Sequence, residues 1–187
     1  MVSKFRCFIA VNMEEFPNWK QLSLSLIEVD GGLRLVKPEN LHLTILFLGE
    51  LDQKMISLVE KQINDIIIDF RSFEYILQGI GSFPNEEKIR VIWCGIKEVS
   101  QMGTINNIFS NEIKSLGIKL NDSKFSPHVT LARNSNSHHS YELRDFINNN
   151  KDRYFGTFKC DHIDLMASEL TATGPIYSLL KRFDLSP

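Results

Sequence analysis

The sequence predicts an α+β fold with mainly antiparallel sheets. Strand-like and helix-like stretches alternate without a long linker, and short Gly- or Pro-containing turns join several neighbouring strands. The 187 residues are 43% hydrophobic and 24% charged, which is ordinary for a globular protein. This length suits one domain or two tightly joined lobes, and we expect residues 1–187 to form a single two-lobed domain.

The first part of the chain is predicted to hold two strands and two helices. Strands are expected at Lys4 to Val11 and at Leu41 to Gly49, because both runs are apolar and β-prone. Between them, large apolar residues recur at helical spacing from Phe16 to Val29. Asp52 is suited to cap a second helix, whose apolar stripe runs from Ile56 to Phe70.

A strand pair and a third helix are predicted next. Phe73 to Ile80 and Ile89 to Ile96 have the strand pattern, and Gly81 to Asn85 is expected to form the turn between them. The third helix presents an apolar face from Met102 to Leu116 and is expected to end at Gly117.

The last part of the chain is predicted to hold three strands and a short helix. The strands are expected at His128 to Ala132, Lys159 to Ser168 and Ile176 to Phe183, and the helix at Tyr141 to Asn149. Asn134 to Ser140 has the composition of a solvated loop. Each half of the chain therefore has an early strand, a long amphipathic helix and a His-x-Thr strand, which suggests internal duplication.

The net charge and the N-terminal sequence argue against some classes of function and location. The net charge is −2, with 21 Lys and Arg against 23 Asp and Glu. Proteins that bind nucleic acid along its length normally have more basic than acidic residues, which this chain does not. Its net charge is still compatible with a small basic pocket around one phosphate. No apolar run is long enough to span a membrane, and the first residues lack the pattern of a signal peptide. We therefore expect a cytoplasmic monomer.

The metal-ligating residue types do not have metal-ligand spacing. His138 and His139 are adjacent in the Ser/Asn-rich loop, so their side chains point apart, and Cys160-Asp161-His162 is equally crowded. No two cysteines form a C-x-x-C motif. All three are predicted to be buried thiols: Cys7, Cys94 and Cys160. We expect no metal site and no cofactor.

Two His-x-Thr motifs carry the chemistry that the sequence predicts. Alternate residues of a strand share one face, so His42 projects with Thr44, and His128 projects with Thr130. One imidazole can take a proton from water while the other gives a proton to a leaving oxygen. The two hydroxyls can donate hydrogen bonds to the non-bridging oxygens of a phosphate. The pattern therefore suits phosphodiester cleavage without a metal ion.

The repetition of the motif favours function over chance. A single His-x-Thr is common, and one His in an apolar strand is more often a packed residue than a catalyst. Here the two His are 86 residues apart (128 − 42), close to half of the 187-residue chain, on matching strands. Apolar flanks do not explain why His, followed by Thr, occupies the polar-facing position twice.

The segments around both motifs resemble a known family. Arg34–Glu50 and Phe125–Arg133 are similar to the two signature segments of the RNA 2′,3′-cyclic phosphodiesterases, once described as 2′-5′ RNA ligases. That family belongs to the two-histidine (2H) phosphoesterase superfamily. Shorter segments are similar as well: Arg6–Ala10, Gly79–Pro84, Arg90–Trp93 and Leu165–Leu170. The resemblance extends over essentially the whole chain.

The resemblance implies a mechanism and a fold. His42 would be the general acid and His128 the general base, with Thr44 and Thr130 holding the phosphate and a 2′-phosphate as product. The fold would be two pseudo-symmetric α+β lobes with helices on the outer faces and the substrate in the cleft between them. The residues alone do not assign acid and base, because both His have similar local surroundings.

The residues five places after each His are further candidates. Strict alternation aims Arg133 away from the catalytic face, so it reaches a phosphate only if the strand ends or bulges after Leu131. Phe47 has the corresponding place after His42, where it would stack on a nucleobase or pack in the core. Trp93 is expected in the core. Three basic residues either line an RNA path or are simply solvated: Arg34, Lys37 and Lys124.

Several functions use the same groups. The leading prediction is hydrolysis of an RNA 2′,3′-cyclic phosphate end. A small cyclic phosphate, such as an ADP-ribose cyclic phosphate, or the reverse 2′-5′ ligation needs the same residues, so the sequence does not separate them. A non-catalytic RNA-end binder is the alternative of another class, although binding alone does not require two titratable groups.

Overall fold

The computed structural model describes residues 4–13, 16–97, 100–121, 124–134, 141–171 and 174–187. In chain order, the elements are β1 (Lys4–Asn12), α1 (Trp19–Val29), β2 (Leu33–Leu35), a 3-10 turn (Pro38–Asn40), β3 (His42–Asp52), α2 (Gln53–Ile67), β4 (Phe73–Asn85), β5 (Lys88–Ile96), α3 (Ser100–Ser115), β6 (His128–Asn134), α4 (Tyr141–Asn149), β7 (Tyr154–Cys160), β8 (His162–Thr171) and β9 (Gly174–Asp184). Across these ranges, none of the helices has the length and apolar character needed to cross a membrane.

The strands form one nine-stranded sheet that consists of two half-sheets. The strand order is β7-β4-β5-β6-β3-β1-β8-β9, with β2 paired to β6, and the named strands pair antiparallel. The His128 half-sheet is β7-β4-β5-β6, and the His42 half-sheet is β3-β1-β8-β9. Where they meet, the pair Leu43 and Val129 joins β3 to β6. The predicted α+β class and antiparallel sheet are confirmed.

Two of the helices pack on the half-sheet that does not contain the strand preceding them in the chain. Helix α1 follows β1 in the chain, but it packs with α4 on the His128 half-sheet. Helix α3 follows β5, but it packs with α2 on β3 of the His42 half-sheet. The helices bury their apolar stripes against the sheet face opposite His42 and His128; examples are Leu22, Leu26, Ile56, Val59, Ile63, Phe109 and Ile113. Both motifs therefore lie on the face left uncovered by helices, which we call the cleft face.

The predicted helices agree with the structure, including the cap of α2. The Met55 backbone N–H donates to Asp52 Oδ1 at 2.8 Å, which satisfies one of the unpaired amides of the first turn. Gly117 follows α3 with φ of 82°, a left-handed conformation that glycine adopts readily at a helix end.

The turn predicted at Gly81 to Asn85 is wrong. Strand β4 continues through these residues to Asn85, and the chain reverses at Glu86 and Glu87. There the Asn85 side-chain oxygen accepts hydrogen bonds from the backbone N–H groups of Glu87 and Lys88. Glycine is suited to this strand position because the Trp93 indole occupies the space where a side chain would project.

The single strand predicted at Lys159 to Ser168 is also wrong. This stretch belongs to two separate strands, because β7 ends at Cys160 and β8 begins at His162. The two strands lie in different half-sheets. Most of β7 was not predicted, because an edge strand is half exposed and has a weak apolar pattern. The three residues of β2 were too few to give any periodic signal.

The three cysteines are buried free thiols, as predicted. Burial raises the pKa of Cys7 to about 11 and those of Cys94 and Cys160 to about 12, so each thiol stays protonated at neutral pH. The loop pair His138 and His139 lies outside the described residues. His162 lies beside two carboxylates, with its Nδ1 atom 2.7 Å from Asp161 Oδ1 and its Nε2 atom 3.8 Å from Asp164 Oδ2.

Candidate active site

The junction between the half-sheets brings the two His-x-Thr motifs together. Leu43 and Val129 are paired across the junction, and both are fully buried on the helix-covered face. Their neighbours in each strand therefore project onto the cleft face, where they are half exposed. Antiparallel pairing places His42 opposite Thr130 and Thr44 opposite His128. The four side chains form a square, with the histidines at opposite corners.

Each motif strand contains a β-bulge three residues after its histidine. Ile9 pairs with Leu46 and Ala10 with Thr44, which leaves Ile45 as the extra residue of β3. In β6, the extra residue is Leu131, because β5 pairs with the residues on either side of it. An inserted residue reverses the side-chain alternation beyond it. The same device occurs in both half-sheets.

The bulges turn Phe47 and Arg133 onto the cleft face. Strict alternation would have placed both residues on the opposite face, and the sequence left the cleft face open to Arg133 only through such a bulge. The bulge after which Arg133 was expected to reach the cleft is present at Leu131. Phe47 is 66% exposed, and its ring lies 6.3 Å from Phe8, which in turn lies 5.1 Å from the His42 ring. The alternative that Phe47 is a core residue is therefore excluded.

A backbone carbonyl orients each histidine. His42 Nδ1 is 2.7 Å from the Asn40 carbonyl oxygen, and His128 Nδ1 is 2.7 Å from the Ser126 carbonyl oxygen. A carbonyl only accepts hydrogen bonds, so each Nδ1 carries the proton and donates it. Nε2 is then the basic nitrogen of each neutral ring. Both residues use the carbonyl two positions earlier, so the two half-sheets hold their imidazoles in the same tautomer.

The surroundings of both histidines favour the neutral ring. Burial lowers the pKa of His42 and that of His128 from the ordinary value, and the carbonyl hydrogen bonds only partly oppose it. The Arg133 charge lowers both pKa values further, and the His128 charge lowers the pKa of His42. The positive charge of Arg133 therefore opposes protonation of both imidazoles.

Aromatic rings line the cleft face around each imidazole. The Tyr177 ring meets the His42 ring edge-on at 5.0 Å, and the Phe83 ring meets the His128 ring edge-on at 4.9 Å. Trp93, expected in the core, is half buried on this face with its ring 6.2 Å from that of His128. Tyr177 was missed because β9 reaches the site only through the strand order of the folded sheet, and Phe83 because its strand was read as a turn.

A buried carboxylate fixes the residue beside His42. Asn12 is the cross-strand partner of His42, and its side-chain amide donates to Asp164 at 2.8 Å. Asp164 is fully buried and also accepts two hydrogen bonds from the Arg182 guanidinium, at 2.9 and 3.0 Å. On the other half-sheet, the partner of His128 is Gly95, which has no side chain. The two histidines are therefore alike in tautomer and different in their neighbours.

The close approach of Trp93 to Gly81 makes a stability prediction. A Cβ atom on Gly81 would lie 2.3 Å from two carbons of the Trp93 ring. We expect Gly81→Ala to lower the free energy of unfolding by about 1–3 kcal/mol, because the indole is forced from its place. Urea unfolding followed by tryptophan fluorescence measures the change.

The matched control is Gly103→Ala in α3, where an added Cβ would have nothing within 4 Å. This change should raise the free energy of unfolding by about 0.5–1 kcal/mol, since alanine is the better helix former. If Gly81→Ala were as stable as the unchanged protein, the packing described for Trp93 would be incorrect.

Comparison with known proteins shows the relationship. The family model described as the AKAP7 2′5′ RNA ligase-like domain matches residues 18–185. An RNA 2′,3′-cyclic phosphodiesterase of Archaeoglobus fulgidus is 32% identical over 181 residues, which covers 96% of this chain and 99% of that protein. The chain belongs to the 2′-5′ RNA ligase-like family of two-histidine phosphoesterases. A second 2H relative of the same name, from Methanocaldococcus jannaschii, is 36% identical over 81% of this chain and 84% of its own length.

Two solved structures share the fold of this chain. A protein of Thermus thermophilus superposes with a TM-score of 0.76 at 26% identity, covering 96% of this chain and 97% of its own. Escherichia coli LigT complexed with 3′-AMP superposes with a TM-score of 0.74 at 21% identity, covering 99% of this chain and all of its own. The overall fold is therefore shared with both of these proteins over nearly the whole chain.

Proposed function

We propose that this protein is an RNA 2′,3′-cyclic phosphodiesterase that opens cyclic phosphate ends to 2′-phosphates. The observation that carries the proposal is the square of two imidazoles and two hydroxyls at the junction, with both imidazoles in the same tautomer. The relatives that match most of the chain have this name. All four groups come from one chain, which supports a single two-lobed domain acting as a monomer.

The reaction needs one neutral and one protonated histidine. Neutral His128 takes a proton from water at Nε2 while the water oxygen forms a bond to phosphorus. The bond from phosphorus to O3′ breaks, and protonated His42 gives its Nε2 proton to O3′, which leaves a 2′-phosphate. Attacking and leaving oxygens lie on opposite sides of phosphorus, as the diagonal placement of the histidines allows. Thr44, Thr130 and Arg133 would stabilise the non-bridging oxygens.

The assignment of acid and base follows the family resemblance, because both histidines have aromatic neighbours. Phe8 and Tyr177 lie beside His42, and Phe83 and Trp93 lie beside His128. The space beside Gly95, the strand partner of His128, is occupied by the Trp93 ring. The exposed ring of Phe47 would stack on the terminal nucleobase.

One assay tests the proposed function. EDTA-treated protein is incubated with an RNA that ends in a 2′,3′-cyclic phosphate, and the product is identified by ³¹P NMR. We expect conversion to the 2′-phosphate, with no reaction on the same RNA ending in a 3′-phosphate. A 3′-phosphate product or a strict metal requirement would contradict the mechanism, and RNA binding without turnover would favour a non-catalytic RNA-end binder.

The lowered histidine pKa values predict an acidic optimum for kcat/KM. The acidic limb of the profile appears when the base gains a proton, and the alkaline limb appears when the acid loses one. Because both pKa values of the free enzyme lie below about 6.5, both transitions occur below that pH. The maximum of kcat/KM should therefore lie below pH 6.5.

The profile of kcat should differ in a defined direction. A bound cyclic phosphate anion raises the pKa of both imidazoles, so the kcat maximum should lie at higher pH than that of kcat/KM. Initial rates between pH 4.5 and 9 on one RNA substrate give both profiles. A kcat/KM maximum above pH 7 would show that burial does not control these groups.

A further inference from the structure

A second arginine lies beside Arg133. Arg34 in β2 is directly opposite Arg133 in β6. Directly opposed residues of an antiparallel pair project to the same face, with Cβ atoms about 4.5–5.5 Å apart. Leu33, the neighbour of Arg34, is buried on the helix-covered face, and Arg34 itself is exposed. Both guanidinium groups therefore stand side by side on the cleft face.

The two like charges have no acidic counterpart among the described residues. Neither Arg34 nor Arg133 takes part in the ion pairs that those residues form. Like charges that face each other directly across a strand pair are destabilising. This arginine pair stands in a chain that has more acidic than basic residues overall, 23 against 21. A bound anion between the guanidinium groups would remove the repulsion and accept charge-assisted hydrogen bonds from both.

The two arginines lie next to the position proposed for the reacting phosphate. Thr130 and Arg133 are three residues apart in β6, so their Cα atoms are separated by roughly 10 Å or less. Arg133 projects onto the same cleft face as Thr130, because the bulge at Leu131 reverses the side-chain alternation between them. Arg34 flanks it on β2, which pairs with β6 at Ala132 and beyond, whereas β3 pairs with β6 at Val129. Neighbouring phosphates of an extended RNA strand are separated by a distance of this order.

We infer that Arg34 and Arg133 together bind a second phosphate, the phosphodiester on the 5′ side of the terminal nucleotide. This inference rests on the proposed function and identifies its substrate class. Arg133 would contact both phosphates, and Arg34 would contact only the second. The enzyme would therefore favour an RNA strand end over an isolated cyclic nucleotide, although its net charge is −2. Single-strand recognition needs only such a local basic site next to a stacking ring.

Three substrates with the same terminal nucleoside separate the contributions. The first is cytidine 2′,3′-cyclic phosphate, the second is the same molecule with a 5′-phosphate, and the third is a dinucleotide ending in that cyclic cytidine. We expect kcat/KM to rise about tenfold or more from the first substrate to the second and third, as for a charge-assisted contact. Arg34→Ala should lose that gain and change kcat/KM on the first substrate by less than about twofold.

Two further variants control for charge and folding. Arg34→Lys keeps a charge without the planar fork and should retain part of the gain. Arg144→Ala removes an exposed arginine of α4, on the opposite side of the sheet, and should leave all three rates unchanged. Arg34→Ala should melt at the same temperature as the unchanged protein or higher, because a like-charge contact is removed.

The outcomes distinguish this inference from the function on which it rests. Turnover of all three substrates with an equal loss in Arg34→Ala, or with no loss, would overturn the second phosphate site and leave the proposed function standing. A gain seen with the dinucleotide but not with the 5′-phosphate would also overturn it, since the added nucleoside and not the phosphate would then be recognised. Lack of turnover on all three would overturn the proposed function and the inference together.

Discussion

Replacing either His42 or His128 with alanine should lower kcat on an RNA 2′,3′-cyclic phosphate by about 10²–10⁴-fold, the usual contribution of a general acid or base. Each imidazole is held by a backbone carbonyl that orients its Nε2 atom toward the cleft. Single-turnover rates on one RNA substrate measure the loss. Lys61→Ala, a change at an exposed position of α2 on the helix-covered side of the sheet, should keep kcat within about twofold.

A substrate with a better leaving group distinguishes the general acid from the general base. A substrate that releases nitrophenolate does not need a general acid, because that leaving group is stable as an anion at neutral pH. On a nitrophenyl phosphodiester, His42→Ala should therefore regain most of its activity, and His128→Ala should stay impaired. The reverse result would exchange the acid and the base, and full activity of either variant on RNA would contradict the two-histidine mechanism.

Removing both threonine hydroxyls should lower kcat by about 10²–10³-fold, the effect of losing donors to a developing negative charge. Thr44→Val and Thr130→Val keep the shape of the side chains and remove only the donors. Because the threonines lie at opposite corners of the square, each single substitution should lower kcat by less than the double substitution does. The measurement is kcat on the cyclic phosphate at saturating substrate.

Thr104→Val is the matched control for the threonine pair. Its hydroxyl donates to the Ser100 carbonyl on the surface of α3, which packs on the face of the sheet opposite the cleft face. This variant should keep kcat within about twofold. If the double threonine variant were equally active, the phosphate would not be held by the hydroxyls, and Arg133 would have to supply the stabilisation alone.

The elements of the fold were predictable wherever one face of an element is buried. The helices have regular apolar stripes, and the cap at Asp52 depends on residues only three positions apart. The order of the strands was not predictable, because β1 lies between β3 and β8, whose pairing partners are distant in the chain. Gly81 has the residue type of a turn, and only a tertiary contact, the Trp93 indole, explains why a glycine stands within β4.

The candidate site was predictable as far as strand alternation holds. His42, Thr44 and their counterparts in β6 come before the bulges, so their common face follows from parity alone. Phe47 and Arg133 come after the bulges, and their parity is reversed. A signal was present in the sequence: runs of successive apolar residues that begin at Ile45 and at Leu131 interrupt the alternation, and the first two residues of each run are buried. Tyr177 and Arg34 gave no such signal, since strand pairing alone brings them to the site.

The strand order also determines when each half of the molecule can form during synthesis. The His128 half-sheet uses β4 to β7, which are consecutive in the chain, so its strands can pair soon after they leave the ribosome. The His42 half-sheet pairs Ile9 with Leu165, so β1 waits until nearly the whole chain has been translated. Until then, β1 has an unpaired apolar edge, which is prone to pair with other chains. Translation that stops before β8 should therefore yield an aggregating fragment, and the reaction centre is completed only with the last strands.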